Sequence, residues 1–146
     1  MSLNSWAQNK WLVKHRTSPQ EISDLMELAD RDLSDCAAKS LSADWRLAIA
    51  YNATLQVATA ALAAAGYRAA REAHHYRTLQ SLAFTLGLSQ TVIEQLDQFR
   101  KKRNVSDYER AGTISDREAD EMVALARKLR KDVEDWLKAK HPKLLK

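Results

Sequence analysis

A chain of 146 residues is long enough for one folded domain with its own hydrophobic core. Its content of 45% hydrophobic and 29% charged residues is ordinary for a globular protein and argues against disorder, and the presence of only three glycines and two prolines favours long helices over a β-rich fold with many turns. The net charge of +4 is modest, but acidic residues dominate positions 21–35 and four consecutive bases occupy positions 100–103. This asymmetry favours either a phosphate-bearing partner or the pairing of one face of the domain with another.

The single cysteine, Cys36, excludes an internal disulfide and a multi-cysteine metal site, and it is typical of the reducing cytoplasm. The opening residues lack the basic segment and apolar run of a secretory signal, so we expect none. Positions 47–67 carry no charge and are long enough to span a bilayer. Polar residues interrupt this alanine-rich stretch, so we interpret it as the buried central helix of a cytoplasmic protein that makes no membrane contact.

Residues 1–17 form an N-terminal extension, which could be a short helix that packs on the core. Helix signals recur along the chain after this extension. Ser18 is an N-cap with a proline and a glutamate in the next three positions, and a helix follows to about Ala38. A second helix runs from about Ser42 to Gly66, a C-cap glycine. Residues 67–73 form a connection.

The second half of the chain carries three more helix signals. A third helix extends over about 74–86, and a fourth, capped by Ser89, ends near Arg103. Residues 104–114 are a loop, and a capping box at Ser115 and Glu118 opens a final helix that reaches about residue 140. We therefore predict an all-α fold: a single-domain antiparallel bundle of four to six helices over residues 18–141, with a tail at 142–146.

The basic segment at the end of the fourth helix is the first candidate site. Phe99 belongs to the apolar face, and Arg103 lies one turn further on nearly the same face. A guanidinium there is costly to bury without a carboxylate or phosphate partner. Either Asp32 and Asp35 supply that partner across the bundle, or the bases form a solvated helix end that opposes the negative pole of the helix dipole.

The order of several segments resembles the HEPN family of helical nucleotide-binding domains. Arg103-Asn104, a short gap, Asp107-Tyr108 and a serine-capped helix resemble its C-terminal half, while residues 28–33 and 51–68 resemble its first two helices. The likeness covers about residues 21–137. It implies a helical fold, a homodimer, and an association with a minimal nucleotidyltransferase partner. Many active members of the family are metal-independent ribonucleases and toxins.

The family's active motif is an arginine followed, after four to six residues, by a histidine. Arg103 and Asn104 match this motif. The histidine should lie at position 108, 109 or 110, but these positions hold Tyr108, Glu109 and Arg110. Tyrosine, with a pKa near 10, transfers protons poorly at neutral pH, where histidine does so well. The resemblance therefore implies a non-catalytic nucleotide- or RNA-binding module of a toxin–antitoxin or defence-type system.

Two alternatives remain open. One is a metal-independent ribonuclease toxin that uses Arg103 with Tyr108 or a histidine of the third helix; the other is a helical dimer that only docks a nucleotidyltransferase. The predicted nucleotide- or RNA-binding residues are Arg100, Arg103, Asn104, Asp107, Tyr108, His74 and His75.

The adjacent histidines of the third helix fit helix capping, packing or a ligand groove. No cysteine or acidic helical partner accompanies them, so we expect neither a metal nor a cofactor. Apolar faces carry Trp11, Trp45 and Trp136, which we expect in the core or an interface, while Trp6 is expected to be partly exposed.

Overall fold

The computed structural model describes residues 1–104 and 114–145. Its helices and strands are, in chain order, α1 (Leu3–Gln8), β1 (Leu12–Lys14), α2 (Pro19–Asp35), α3 (Ala43–Ala64), β2 (Tyr67–Ala69), α4 (His74–Gln80), α5 (Leu82–Thr85), α6 (Gln90–Asn104), α7 (Asp116–Lys140) and a 3-10 turn (Pro142–Leu144). The predicted all-α bundle is confirmed.

The long helices begin where the sequence places their caps. The hydroxyl of Ser18 accepts a hydrogen bond from the backbone N–H of Glu21 at 3.1 Å, and Ser42 caps α3 in the same way. Ser115 and Glu118 form the expected reciprocal capping box of α7. The helix expected over 74–86 is instead divided into α4 and α5 at Ser81, whose hydroxyl donates to a backbone carbonyl of the preceding turn.

Helix α3 is the centre of the bundle and packs mainly against α2 and α7. Alanines cover several of its sides and are almost completely buried, so the neighbouring helices approach closely. By length and composition alone this helix is apolar enough to cross a membrane, but 67% of its most apolar window is buried inside the protein.

A small antiparallel sheet, which the sequence does not predict, ties residues 1–17 to the segment after α3. Strand β1 pairs with β2 so that Leu12 lies opposite Ala69. Behind this sheet, Trp6 is buried and meets the rings of Trp11 and Phe84 edge-on, with centroids 5.7 and 5.1 Å away. The expectation that Trp6 is partly exposed is therefore wrong, because the sheet closes a second small core over it.

Trp45 departs from expectation in the opposite direction. Its side chain is 63% exposed, so it is not a core residue of this chain. Leu47, two positions further along α3, faces the core, and two positions rotate a helix by about 200°. Trp45 is thereby turned to the outer side of α3. Trp136 packs against the main core and stacks near His141, with ring centroids 4.9 Å apart.

Candidate functional site

Three helices bring four polar side chains together at one end of α6. Tyr51 comes from α3, His75 from the first turn of α4, and Arg100 and Arg103 from the C-terminal end of α6. The ring centroids of Tyr51 and His75 are 6.1 Å apart, and both arginines act electrostatically on both rings. We call these four residues the basic cluster.

Arg100 is held in place by its neighbours. Its Nε donates a 2.8 Å hydrogen bond to Oδ1 of Asp97, one turn earlier on α6. Its guanidinium carbon lies 5.3 Å from the centroid of the Tyr76 ring, within the range of a cation–π contact. Asp97 thus offsets part of the charge of Arg100, while Tyr76 fixes the orientation of the guanidinium.

Arg103 is the cation of the cluster that is available to a ligand. Its side chain is exposed, and it forms no ion pair with any residue in 1–104 or 114–145. The expected pairing with Asp32 or Asp35 is not found among these residues; the Asp32 carboxylate lies 3.6 Å from Arg31 instead. Helix α2 packs against α3 and α7, which keeps its carboxylates away from the end of α6.

Tyr51 contributes a buried hydroxyl group. Its side chain is completely buried, and among the described residues the hydroxyl has no hydrogen-bond partner. Burial raises the pKa of Tyr51 to about 12, although Arg100 and Arg103 act in the opposite direction. The phenol therefore stays protonated and keeps an unused hydrogen for an acceptor. An unpaired buried hydroxyl costs about 1–3 kcal/mol of stability.

His75 supplies a neutral imidazole. Burial lowers its pKa from the ordinary value of 6.5, and the positive charges of His74, Arg103 and Arg100 lower it further. At neutral pH one ring nitrogen therefore donates and the other accepts.

The two adjacent histidines lie in different surroundings. His74 is exposed and lines a cavity with His15 and Glu21, whereas His75 faces the basic cluster. The Nε2 atom of His15 lies 2.7 Å from Oε1 of Glu21. In the sequence, Glu21 is marked only as a helix-start residue, and neither His15 nor Tyr51 carries a local signal of a site, because their surroundings form through the β1–β2 pairing and across the bundle.

The remaining predicted site residues are described only in part. Asn104 ends α6, but its side chain lies outside the described structure, as do Asp107 and Tyr108 entirely. Within the described ranges no group of three or more histidine, cysteine, aspartate or glutamate side chains is arranged to hold a metal ion.

No family model, curated protein or solved structure matches this chain. The geometry and charge of the basic cluster are therefore the features of the described structure from which a function can be inferred.

Proposed function

We propose that this chain is a HEPN-like nucleotide- or RNA-binding module that acts without catalysis in a toxin–antitoxin or defence-type system. The observation that carries the proposal is the exposed guanidinium of Arg103, which forms no ion pair with a described residue and acts electrostatically on Tyr51 and His75. In this proposal the module is a cytoplasmic homodimer with a nucleotidyltransferase partner, as the family resemblance implies.

Phosphate is the ligand chemistry that suits the basic cluster best. A guanidinium binds phosphate oxygens through parallel hydrogen bonds, and Arg103 has no described carboxylate to compete for it. Arg100 adds a second positive charge one turn earlier on α6. The half-exposed ring of Tyr76 offers a surface on which an unpaired base can stack.

Fluorescence anisotropy with short labelled single-stranded RNAs at several salt concentrations tests this function. We expect Arg103→Ala to weaken binding at low salt and to reduce the slope of log affinity against log salt by about one phosphate contact. Arg31→Ala, which removes an exposed arginine of α2 far from the cluster, is the matched control and should bind like the unmodified protein. Absence of RNA binding at low salt, or equal binding by the Arg103→Ala variant, would contradict the proposal.

One observation favours the metal-independent ribonuclease as a second candidate. His75, a histidine of the third predicted helix, is close enough to Arg103 for the guanidinium to lower its pKa, and this leaves the imidazole free to accept a proton at neutral pH. In this alternative Arg103 stabilises the phosphate while His75 activates the ribose 2′-hydroxyl. RNA cleavage in the presence of EDTA should then be lost in His75→Ala and retained in His74→Ala. RNA that stays intact with the unmodified protein excludes this candidate.

The docking alternative is favoured by Trp45, whose exposed indole lies on the outer side of α3. A tryptophan at that position suits a protein contact, since large aromatic side chains supply much of the binding energy at interfaces. Light scattering over a range of concentrations tests a homodimer through this face. Trp45→Ala should shift the assembly toward the monomer, and an unchanged mass would exclude this face.

A further inference from the structure

A cavity of about 230 Å³ lies on the other side of the first turn of α4 from the basic cluster. Apolar side chains, including Leu25 and Leu62, form much of its lining, and its polar groups include His15, Glu21 and His74. Pockets for drug-sized ligands measure about 300–1,000 Å³. The smaller volume here suits a single planar ring system.

The carboxylate of Glu21 is the group in this cavity that can select a ligand. Its Oε1 atom accepts hydrogen bonds from Thr17 at 2.6 Å and from His15 at 2.7 Å. The hydrogen bond from Thr17 is the largest cause of a lowered pKa, so Glu21 is ionised at neutral pH. Its Oε2 atom accepts no hydrogen bond from the described part of the chain. An ionised carboxylate only accepts, so a ligand must bring an N–H or O–H donor to that oxygen.

His74 connects the cavity to the basic cluster. It lines the cavity, and its ring centroid is 5.8 Å from that of His75. Thr59 of the cavity lining and Tyr51 of the cluster are eight residues apart on α3, which corresponds to about 12 Å along the helix axis. The base, ribose and phosphates of a nucleoside diphosphate, or two linked nucleotides of an RNA strand, can bridge such a span.

We propose that this cavity binds the base of the ligand whose phosphates bind the basic cluster, and that Glu21 selects bases that carry an amino group. This inference rests on the proposed phosphate binding. Adenine, cytosine and guanine each have an exocyclic amino group that donates to the Glu21 carboxylate. Uracil offers only an N–H flanked by two carbonyl oxygens, which the carboxylate repels. The exposed imidazole of His74 provides a face for stacking.

Isothermal titration calorimetry with ADP, CDP, GDP and UDP, the corresponding nucleosides and inorganic phosphate tests the inference. We expect the three amino-bearing diphosphates to bind about tenfold more tightly than UDP, as expected for one hydrogen bond to a charged group. Glu21→Gln should abolish this preference, because an amide both donates and accepts. Asp24→Asn makes the same charge change one turn away on α2, outside the cavity lining, and should retain the preference.

A second variant tests the cavity without changing its charge. Thr59→Leu fills space between the lining residues and should reduce the affinity of all four diphosphates toward that of inorganic phosphate. Circular dichroism establishes that each variant keeps its helical fold.

The possible results separate the base pocket from the phosphate site. Equal affinities for the four diphosphates and no effect of Thr59→Leu, while Arg103→Ala still weakens binding, would overturn the base pocket and leave the proposed function standing. Diphosphate binding that depends on Glu21 but not on Arg103 would support the selectivity of the cavity and contradict phosphate binding at the basic cluster. Failure of every probe to bind would overturn both.

Discussion

The imidazole of His75 lies beside the buried phenol of Tyr51, with ring centroids 6.1 Å apart, and this contact joins α4 to the central helix. Arg100 and Arg103 act on both rings. Because burial and two guanidiniums disfavour another positive charge, the cluster combines permanent cations with a neutral imidazole and a protonated phenol. That combination suits an anion better than it suits a metal ion or a cationic ligand.

We expect His75 to titrate below its ordinary pKa of 6.5 in the folded protein, because burial and the neighbouring cations disfavour imidazolium. The unfolded chain then binds this proton at higher pH than the folded chain does, so the contribution of His75 to stability is full above pH 6.5 and is lost as the pH falls through the folded pKa. His75→Gln should lose less stability than the unmodified protein over this window. Urea denaturation at a series of pH values measures the difference.

Nuclear magnetic resonance of the histidine side chains provides an independent check on His75. An anion at the basic cluster offsets the arginine charges, so phosphate or a nucleotide should raise the pKa of His75. His141, which packs near Trp136 at the far end of α7, serves as the internal control and should not respond. A pKa of His75 at or above 6.5 without ligand would contradict the expected electrostatics.

Tyr51→Phe is expected to raise the free energy of unfolding by about 1 kcal/mol. The substitution removes a buried hydroxyl that has no partner among the described residues and keeps the ring that fills the core. Chemical denaturation measures the change. Tyr67→Phe removes a hydroxyl that is not a buried unpaired group, so an equal gain of stability in that variant would contradict this account.

The tryptophans Trp6 and Trp45 should differ sharply in their contribution to stability. Trp6→Ala empties the small core beneath the sheet and should lower the free energy of unfolding by about 3–5 kcal/mol. Trp45→Ala changes a side chain that is mostly solvent-exposed and should stay within about 0.5 kcal/mol of the unmodified protein. Denaturation of both variants at matched protein concentration tests the pair, and equal losses would contradict the burial seen here.

Arg130→Met should destabilise the bundle by about 1 kcal/mol at neutral pH. Arg130 binds both carboxylate oxygens of Asp30 at 2.7 and 3.0 Å and also pairs with Glu134, so it links α7 to α2. Arg31→Met removes an exposed arginine and is the control. Differential scanning calorimetry of the two variants should show a lower Tm for Arg130→Met alone.

The pH dependence of this link has a definite sign. The hydrogen bond from Arg130 is the main cause that lowers the pKa of Glu134 from its ordinary 4.5 to about 2. The ion pair between Arg130 and Glu134 therefore makes its whole contribution to stability above pH 4.5, and this contribution is lost as the pH falls through about 2. The difference between Arg130→Met and the unmodified protein should shrink over that range, and a constant difference would exclude a role for Glu134.

Much of the helical framework could be predicted from the sequence because its determinants are local. Ser18, Ser42 and Ser115 each cap a helix through a backbone N–H only three residues away, so the signal and its partner occur in the same short segment. The apolar spacing of α2 and α7 likewise identifies the faces that pack on α3.

Contacts between segments that are distant in the sequence determine which side chains surround each site residue. The pairing of β1 with β2 brings His15 to the cavity lining beside Glu21, and it closes the small core over Trp6. Two adjacent histidines look equivalent in the sequence, yet one faces the cavity and the other the basic cluster. The sequence by itself determined where the helices begin and that Arg103 lies at a basic helix end. Only the tertiary structure decided that Arg103 acts electrostatically on Tyr51 and His75, because that arrangement depends on how three helices pack.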